Sequence, residues 1–321
     1  MLRLTLAVLC LFATAPAFAQ AGTAPGRTVR IIVPFPPGAA TDTLGRLIAQ
    51  KLTESWGQPV TVDNRPGAGS IVGAETAAKS APDGSTIFMG HIGTHGANPA
   101  LYAKLPYDPL RDFAPVSLLV TIPNLLAVHP ALPVNNVREL LELAKSRPGA
   151  LNVGSPGIST SAHLIIALFS SLTTTNMTHI PFKGTVAAMQ GLVGGDVQVA
   201  FDTVTAIMPQ ARAGRVRVLA ITSKDRSASA PDAPPLAETG VPGFDVSTWF
   251  AFFVPAGTPK AVVERTNADV VRILQAKEMT ERLQAMGMNV VASSPEQLAS
   301  HVSSEIARWG RVVKEANIKV E

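Results

Sequence analysis

Short apolar runs alternate with amphipathic ones along most of this chain, and that alternation restricts the fold more than any other feature. Residues 29–35 (VRIIVPF) read as a buried strand, after which Leu44, Leu47, Ile48 and Leu52 recur at helical spacing. Residues 59–62 and 85–90 read as two more strands, with a small-residue helix over 71–78 between them. A second series opens after Pro130. Asn136 stands as a helix N-cap with Glu139 three residues on, and Val137, Leu140, Leu141 and Ala144 form the apolar stripe. Strands at 151–154, 176–180, 197–201 and 216–222 then alternate with helices at 163–172, 186–193 and 205–213. Strands separated by helices of this length form βαβ units and a parallel sheet, so the expected class is α/β. At 321 residues the chain is long enough for two such domains. The tail differs: residues 249–254 are one long apolar strand, and Thr258-Pro259 and Ser294-Pro295 each open a helix, the second with Gln297 in capping-box position. Ile306, Trp309, Val312 and Val313 give the last helix one apolar face. There is no internal repeat.

The first residues bear on compartment. Arg3 precedes an apolar run over 4–12, and Ala17-Phe18-Ala19 has the small-x-small form of a cleavage site. Residues 1–19 are therefore expected to be a signal peptide cut after Ala19, sending the protein to the periplasm. Cys10, the single cysteine, lies within that run after Leu9, where a lipid-anchor motif needs a small residue. The remaining chain then has no cysteine, which excludes disulfides, thiolate nucleophiles and cysteine metal sites. The formal charge of +4 is spread along the chain, with no stripe that would suit nucleic acid. Aromatic residues are few, which argues against a sugar site of stacked rings.

Ligands of parallel α/β sheets sit outside the carboxyl ends of the strands, so the loops leaving strands are the places to look. The loop over 34–42 is stiffened by prolines and kept open by Gly38 and Ala39. Its N–H groups and the following helix start make an anion site, with Phe35, Gly38, Ala39, Thr41 and Asp42 as candidates. Asp42 suits a structural capping role better than direct contact. The loop over 154–161 carries four hydroxyls, Ser155, Ser159, Thr160 and Ser161, around Gly157, and leads to His163. Such a loop can hold a carboxylate without a full positive charge. Asp202 and Thr203 follow another strand, where the acid can order the loop, meet a ligand or cap the next helix. Thr94 completes the candidate set.

Enzymatic patterns fit poorly. Ser155 misses the nucleophile-elbow spacing by one position, and no base and acid accompany the loop serines at a recognisable spacing. Of the six histidines only His91 and His95 share a helical spacing, and Gly93 and Gly96 place them in a loop, so no metal or cofactor is expected. The glycines over 67–73 miss a dinucleotide fingerprint by one position and read as a turn into a helix.

Several motifs in order resemble one family. They are residues 29–42 (VRIIVPFPPGAATD), Trp56-Gly57-Gln58-Pro59-Val60, Asn64-Arg65-Pro66-Gly67-Ala68-Gly69 and Pro82-Asp83-Gly84, then Leu105-Pro106-Tyr107-Asp108 with residues 111–116. His179-Ile180-Pro181-Phe182-Lys183-Gly184, Gly194-Gly195-Asp196-Val197 and Ala213-Gly214 with Arg217-Val218-Leu219-Ala220 follow. Together they resemble the receptors of tripartite tricarboxylate transporters, also called Bug proteins. The resemblance implies a type II-like periplasmic binding-protein fold with a ligand cleft between two α/β domains and two chain crossings. Residues 20–123 and 246–321 would form domain 1, and 124–245 domain 2. It implies capture of a small carboxylate by the loops over 34–42 and 154–163, delivery to the membrane subunits of the transporter, and a monomer that binds no nucleic acid. This chain departs from the pattern at Gly38-Ala39, where the family has two glycines, at Ile158-Ser159, where it has Asn-Gly, at Thr203, where it has Asn, and at Phe182, where it has Tyr. Loss of two amides, at Ile158 and Thr203, is expected to favour an acid with an apolar body, aromatic or short aliphatic. A periplasmic sensor feeding a signalling receptor remains the alternative, and a serine hydrolase on the 155–161 loop the weaker one.

Overall fold

A computed structural model of the chain describes residues 28–315 and Ile318. The expected signal peptide, residues 1–19, lies outside the described residues. Two groups of parallel strands share one long strand. In the first, β1 (Val29–Val33) pairs in parallel with β2 (Val60–Asn64) and β3 (Thr86–His91). In the second, β5 (Asn152–Ser155) pairs in parallel with β6 (Thr178–Pro181) and β7 (Val199–Thr203). Between them runs β4 (Phe113–Val128), 16 residues long. Its first part pairs antiparallel with β9 (Ser247–Pro255) and with the short β10 (Asn289–Val290). From Asn124 onward it pairs with β7 and with β8 (Arg217–Ile221). β9 also pairs with β3, so the tail strand returns to the first group of strands.

The helices arise where the apolar spacing places them. α1 (Ala40–Trp56) and α2 (Ile71–Ala78) follow β1 and β2, and a short α3 (Asn98–Leu101) follows β3. α4 (Val137–Ser146), α5 (Ser161–Thr173), α6 (Thr185–Gly194) and α7 (Val204–Arg212) alternate with the strands of the second group. α8 (Lys260–Gln275), α9 (Lys277–Ala285) and α10 (Pro295–Glu315) close the chain. Both capping expectations hold. Asn136 Oδ1 accepts from Glu139 N at 2.9 Å, and Ser294 and Gln297 bond reciprocally, N–H to side chain, at 2.9 and 3.2 Å.

Three features depart from the sequence-based expectation. β4 went unrecognised because Pro115 and Pro123 interrupt its apolar run, and proline ordinarily demotes a strand. One register shift follows Pro115 and another precedes Val120, which lets the strand continue past a residue that cannot donate. His91 and His95 were expected in a loop; His91 ends β3, and His95 lies in a π-helical turn over Gly93–Ala97. α9 and β10 were also unforeseen.

α10 is held to the first sheet by one buried carboxylate. Glu305 Oε2 accepts from the indole N–H of Trp249 at 2.9 Å and of Trp309 at 3.0 Å. Replacing this acceptor would leave two buried donors unpaired. Glu305→Leu is therefore expected to lower unfolding free energy by about 2–4 kcal/mol in chemical denaturation, and Glu305→Gln by less. An unchanged midpoint in Glu305→Leu would show that the indoles find other partners.

Candidate functional site

The carboxyl ends of β1, β2, β5 and β6 converge on a cavity of about 480 Å³. Its walls come from loops of both strand groups: residues 34–36 and 66–70 from the first, residues 156–158, Thr160 and 182–184 from the second. Pro34, Phe35, Pro36, Pro66, Ile158 and Phe182 supply apolar surface, and Lys183 is the only charged residue among the lining. A groove of similar size, about 450 Å³, runs between α1, α8 and α9 under a mixed fringe of Lys51, Glu54, Arg272, Glu278 and Arg282. That groove touches no strand end and no candidate residue, so the topology favours the first cavity.

The first loop is braced from within. Asp42, buried in the first turn of α1, accepts through Oδ2 from Gly38 N at 3.1 Å and from Arg46 Nε at 3.0 Å. Its Oδ1 accepts from Asn64 Nδ2 at 3.0 Å and faces Arg46 Nη2 at 2.9 Å. Burial alone would raise the pKa of this carboxyl. The Arg46, Gly38 and Asn64 hydrogen bonds outweigh it, so the pKa lies below the usual carboxylate range. Both oxygens are thus engaged in shaping the loop. Gly38 needs its freedom here, at φ 87°. Ala39 occupies the N-cap of α1 without a side-chain cap, and Thr41 is buried beside Asp42. The first-turn N–H groups have no carbonyl partner within their own helix and carry its positive end. Phe35 projects onto the His91 ring, 4.8 Å between centroids.

The second loop spends its hydroxyls in different places. Ser155 Oγ lies 2.7 Å from His179 Nε2 and accepts from Gly157 N at 3.2 Å. Thr160 caps α5 by accepting from His163 N at 3.3 Å and donates to Gly157 O at 2.7 Å. Ser161 Oγ meets Thr248 Oγ1 at 2.5 Å, and Thr248 donates to Asn124 Oδ1 at 2.7 Å, which ties the loop to β9 and β4. Ser159 reaches furthest. It is fully buried at φ 60°, left-handed for a non-glycine residue, with N donating to His163 Nδ1 at 3.3 Å and Oγ 3.2 Å from Tyr102 Oη. His163 stacks on His179 at 4.7 Å, and burial holds both pKa values down to about 4, with their mutual repulsion adding to the effect on His179.

Two glycines of the first group make room for Ser159. A Cβ on Gly69 would lie 2.5 Å from Tyr102 Oη and 3.0 Å from Ser159 Oγ. A Cβ on Gly93 would lie 2.1 Å from Ser159 O. The loops from the two strand groups are therefore in direct contact at this seam.

The remaining candidates sit deeper. Thr94 Oγ1 accepts from His91 N at 3.1 Å and lies 3.0 Å from His95 Nδ1, stapling the turn after β3. Asp202 Oδ1 accepts from Thr203 N at 2.7 Å. Its Oδ2 is buried with no well-formed partner among the described residues, although the Thr185 hydroxyl is near enough to oppose the effect of burial. Burial pushes this carboxyl up to about 7. Phe35, Gly157 and Thr160 thus line the cavity, Ser159 lies on its seam, and Thr203 is buried beside Asp202 outside the lining. Ile158 does face the cavity, so one of the two substitutions expected to lower its polarity is there.

Sequence reasoning missed the loop over 66–70, the Phe182–Gly184 wall, Tyr102, His91 and His179. The glycines over 67–73 were a usable signal, since Ala68, Gly69 and Ser70 all take positive φ there. No acid completes a base-and-acid pair at Ser155 among the described residues, but β5–β6 pairing places Ser155 beside Pro181 and so brings His179 to it, a contact that no sequence spacing announced. Ser155 is nonetheless fully buried and bonded within its own loop, and no group of three or more metal-ligating side chains occurs among the described residues.

Residues 44–318 match the model of the tripartite tricarboxylate transporter family receptors. A Rhodopseudomonas palustris protein solved with adipate is 37% identical with a TM-score of 0.88, over 92% of this chain and 99% of that one. MatC from Rhodopseudomonas palustris, solved with bound malate, is 38% identical with a TM-score of 0.85, over 89% and 99%. The periplasmic binding protein BugD is 32% identical with a TM-score of 0.86, over 92% and 99%.

Proposed function

The chain belongs to the tripartite tricarboxylate transporter receptors, a family of periplasmic solute-binding proteins and not of enzymes, and from that premise we propose that it captures a small dicarboxylic acid with an apolar body. The observation that carries this reading is the cavity itself. Its walls are proline, phenylalanine and isoleucine, its one charged residue is Lys183, and the helix start at Ala39–Asp42 and the capped loop before α5 flank it. Such walls suit methylene or ring surface, while an acid's ends need N–H and hydroxyl donors and one cation. The adipate and malate held by structural relatives are both dicarboxylates, which supports the class.

In this account the protein is exported after removal of residues 1–19. The first lobe comprises 20–123 and 246–321, the second 124–245, with β4 and β9 as the crossings. The lobes close over the acid at the Ser159 seam, and the closed form is presented to the membrane subunits of the transporter. Neutral His163 and His179 and a partly protonated Asp202 keep negative charge low near the strand ends of the second lobe, which leaves Lys183 to attract an anion.

The test is a thermal-shift panel of mono-, di- and tricarboxylates at equal concentration. An acid at a hundred times its Kd stabilises the native state by about 2.7 kcal/mol, a rise of several degrees. The reading predicts the largest rise for aliphatic or aromatic dicarboxylates, and little for amino-dicarboxylates. A response only to amino-dicarboxylates, or only to tricarboxylates, would contradict the substrate class.

A further inference from the structure

The geometry points to His91 as a residue that contacts the ligand: its Nε2–H is presented to a carboxylate oxygen of the acid held between the lobes. This inference rests on the receptor reading above and adds a recognition group to it.

The tautomer follows from one hydrogen bond. The backbone N–H of Gly93 donates to His91 Nδ1 at 3.0 Å, so Nδ1 is an acceptor and the neutral ring carries its proton on Nε2. Burial holds the ring's pKa down to about 3, so the neutral form prevails at any ordinary pH. Nε2 is then a donor, buried, and without a partner among the described residues. A buried donor left unpaired is rare in native structures and calls for a partner.

His91 is also in the right place. It is the last residue of β3, whose carboxyl end lies beside that of β1, and its ring lies against Phe35 of the first loop at 4.8 Å between centroids. A Cβ on Gly93 would meet Ser159 O at 2.1 Å, His91 Cε1 at 2.6 Å and His91 Nδ1 at 3.1 Å, so the Cε1 corner of the ring, to which Nε2 is bonded, borders the seam where the two lobes touch. His95 provides the contrast. Its Nε2 is equally unpaired, but its ring stacks on Phe253 at 3.8 Å and packs against Phe88 and Phe113, inside the core. Of these two unpaired nitrogens, only that of His91 belongs to a ring beside Phe35 of the first loop and the Ser159 seam of the second. Thr94 Oγ1 accepts from His91 N and so holds the backbone, while the Gly93 N–H on Nδ1 holds the ring.

Calorimetric titrations of wild-type protein, His91→Gln and His91→Phe with adipate and with malate test this. Glutamine can place an amide N–H near the Nε2 position, and phenylalanine cannot donate. A hydrogen bond to a charged group implies that His91→Phe weakens binding by about 10- to 100-fold, with His91→Gln close to wild type. Binding by His91→Phe equal to wild type would overturn the inference while leaving the receptor reading intact. Failure of the wild type to bind any carboxylate would overturn both. Should His91→Phe not fold, ¹⁵N NMR of histidine-labelled wild type decides. An acid-induced shift of the Nε2–H resonance of His91 supports the contact, and an unmoved resonance at saturation excludes it.

Discussion

Gly93→Ala is expected to weaken acid binding by about a hundredfold, roughly 3 kcal/mol, and to lower the stability of the unliganded protein by less than that. The reason is the seam. An alanine Cβ would sit 2.1 Å from Ser159 O, a backbone atom that cannot rotate away, and 2.6 Å from His91 Cε1. Gly93 itself is absent from the positive-φ positions, so alanine fits its backbone without strain. The larger cost falls on the contact between the Ser159 loop and the first group of strands, which the proposed closure over the acid requires, while the crowding of His91 is present with or without ligand. Gly69→Ala is a less clean variant, because φ 61° strains any side chain there whether the lobes are open or closed. Calorimetry on Gly93→Ala, with a melting curve of the unliganded protein alongside, checks the expectation. Full affinity in this variant would mean that the lobes bind the acid without closing at Ser159.

The second large effect is on acid stability. Burial depresses the folded-state pKa of His91 to about 3 and of His163 and His179 to about 4, against an unfolded value of 6.5. A depressed histidine favours the native state above its unfolded pKa. Below pH 6.5 the unfolded chain takes up a proton that the native state refuses, and stability falls until the folded pKa is passed. Asp202 acts the other way. With its pKa raised from 3.8 to about 7, its burial costs most at neutral pH, and stability is regained as the pH drops from 7 towards 3.8. His95 and His301 are shifted the same way, so five histidines stand against one aspartate. The unfolded chain binds several more protons than the native state between pH 6 and 4.5, a loss on the order of several kcal/mol across that range. The melting temperature is therefore expected to be flat above pH 7 and to drop steeply below pH 6. His163→Phe or His179→Phe should make the drop shallower, since each removes one refused proton. A melting temperature constant from pH 7 to 4.5 would show that these rings are not neutral and buried in the native state.

The sequence was most informative where the physics is local. Alternating periods marked nearly every helix and strand of the two parallel groups, because a strand between helices is buried on both faces and reads as a short apolar run. Asn136 with Glu139, and Ser294 with Gln297, announced their helix starts through neighbours three residues apart. The loops over 34–42 and 154–161 could be chosen because ligand sites of such sheets follow strand ends. What stayed hidden depends on distant contacts. β4 was obscured by two prolines that its partners β9 and β7 tolerate only through register shifts and a change of partner at Asn124. The Ser155–His179 contact spans 24 residues and exists only because β5 and β6 pair. The role of Ser159 could not be read from its loop, since Tyr102, Gly69 and Gly93, which surround it, come from three other segments. His91 could be dismissed as a loop histidine until the Gly93 N–H fixed its tautomer. Resemblance to the transporter receptors supplied the capture role, which no spacing or composition in the chain could have given.

The central claim is that one small dicarboxylic acid binds between the strand ends of the two lobes. Isothermal titration of the wild-type protein with the acid giving the largest thermal shift tests it most directly. The account predicts saturable binding of one acid per chain with a submillimolar Kd. Absence of saturable heat from every mono-, di- and tricarboxylate tried, on protein that melts cooperatively, would contradict it.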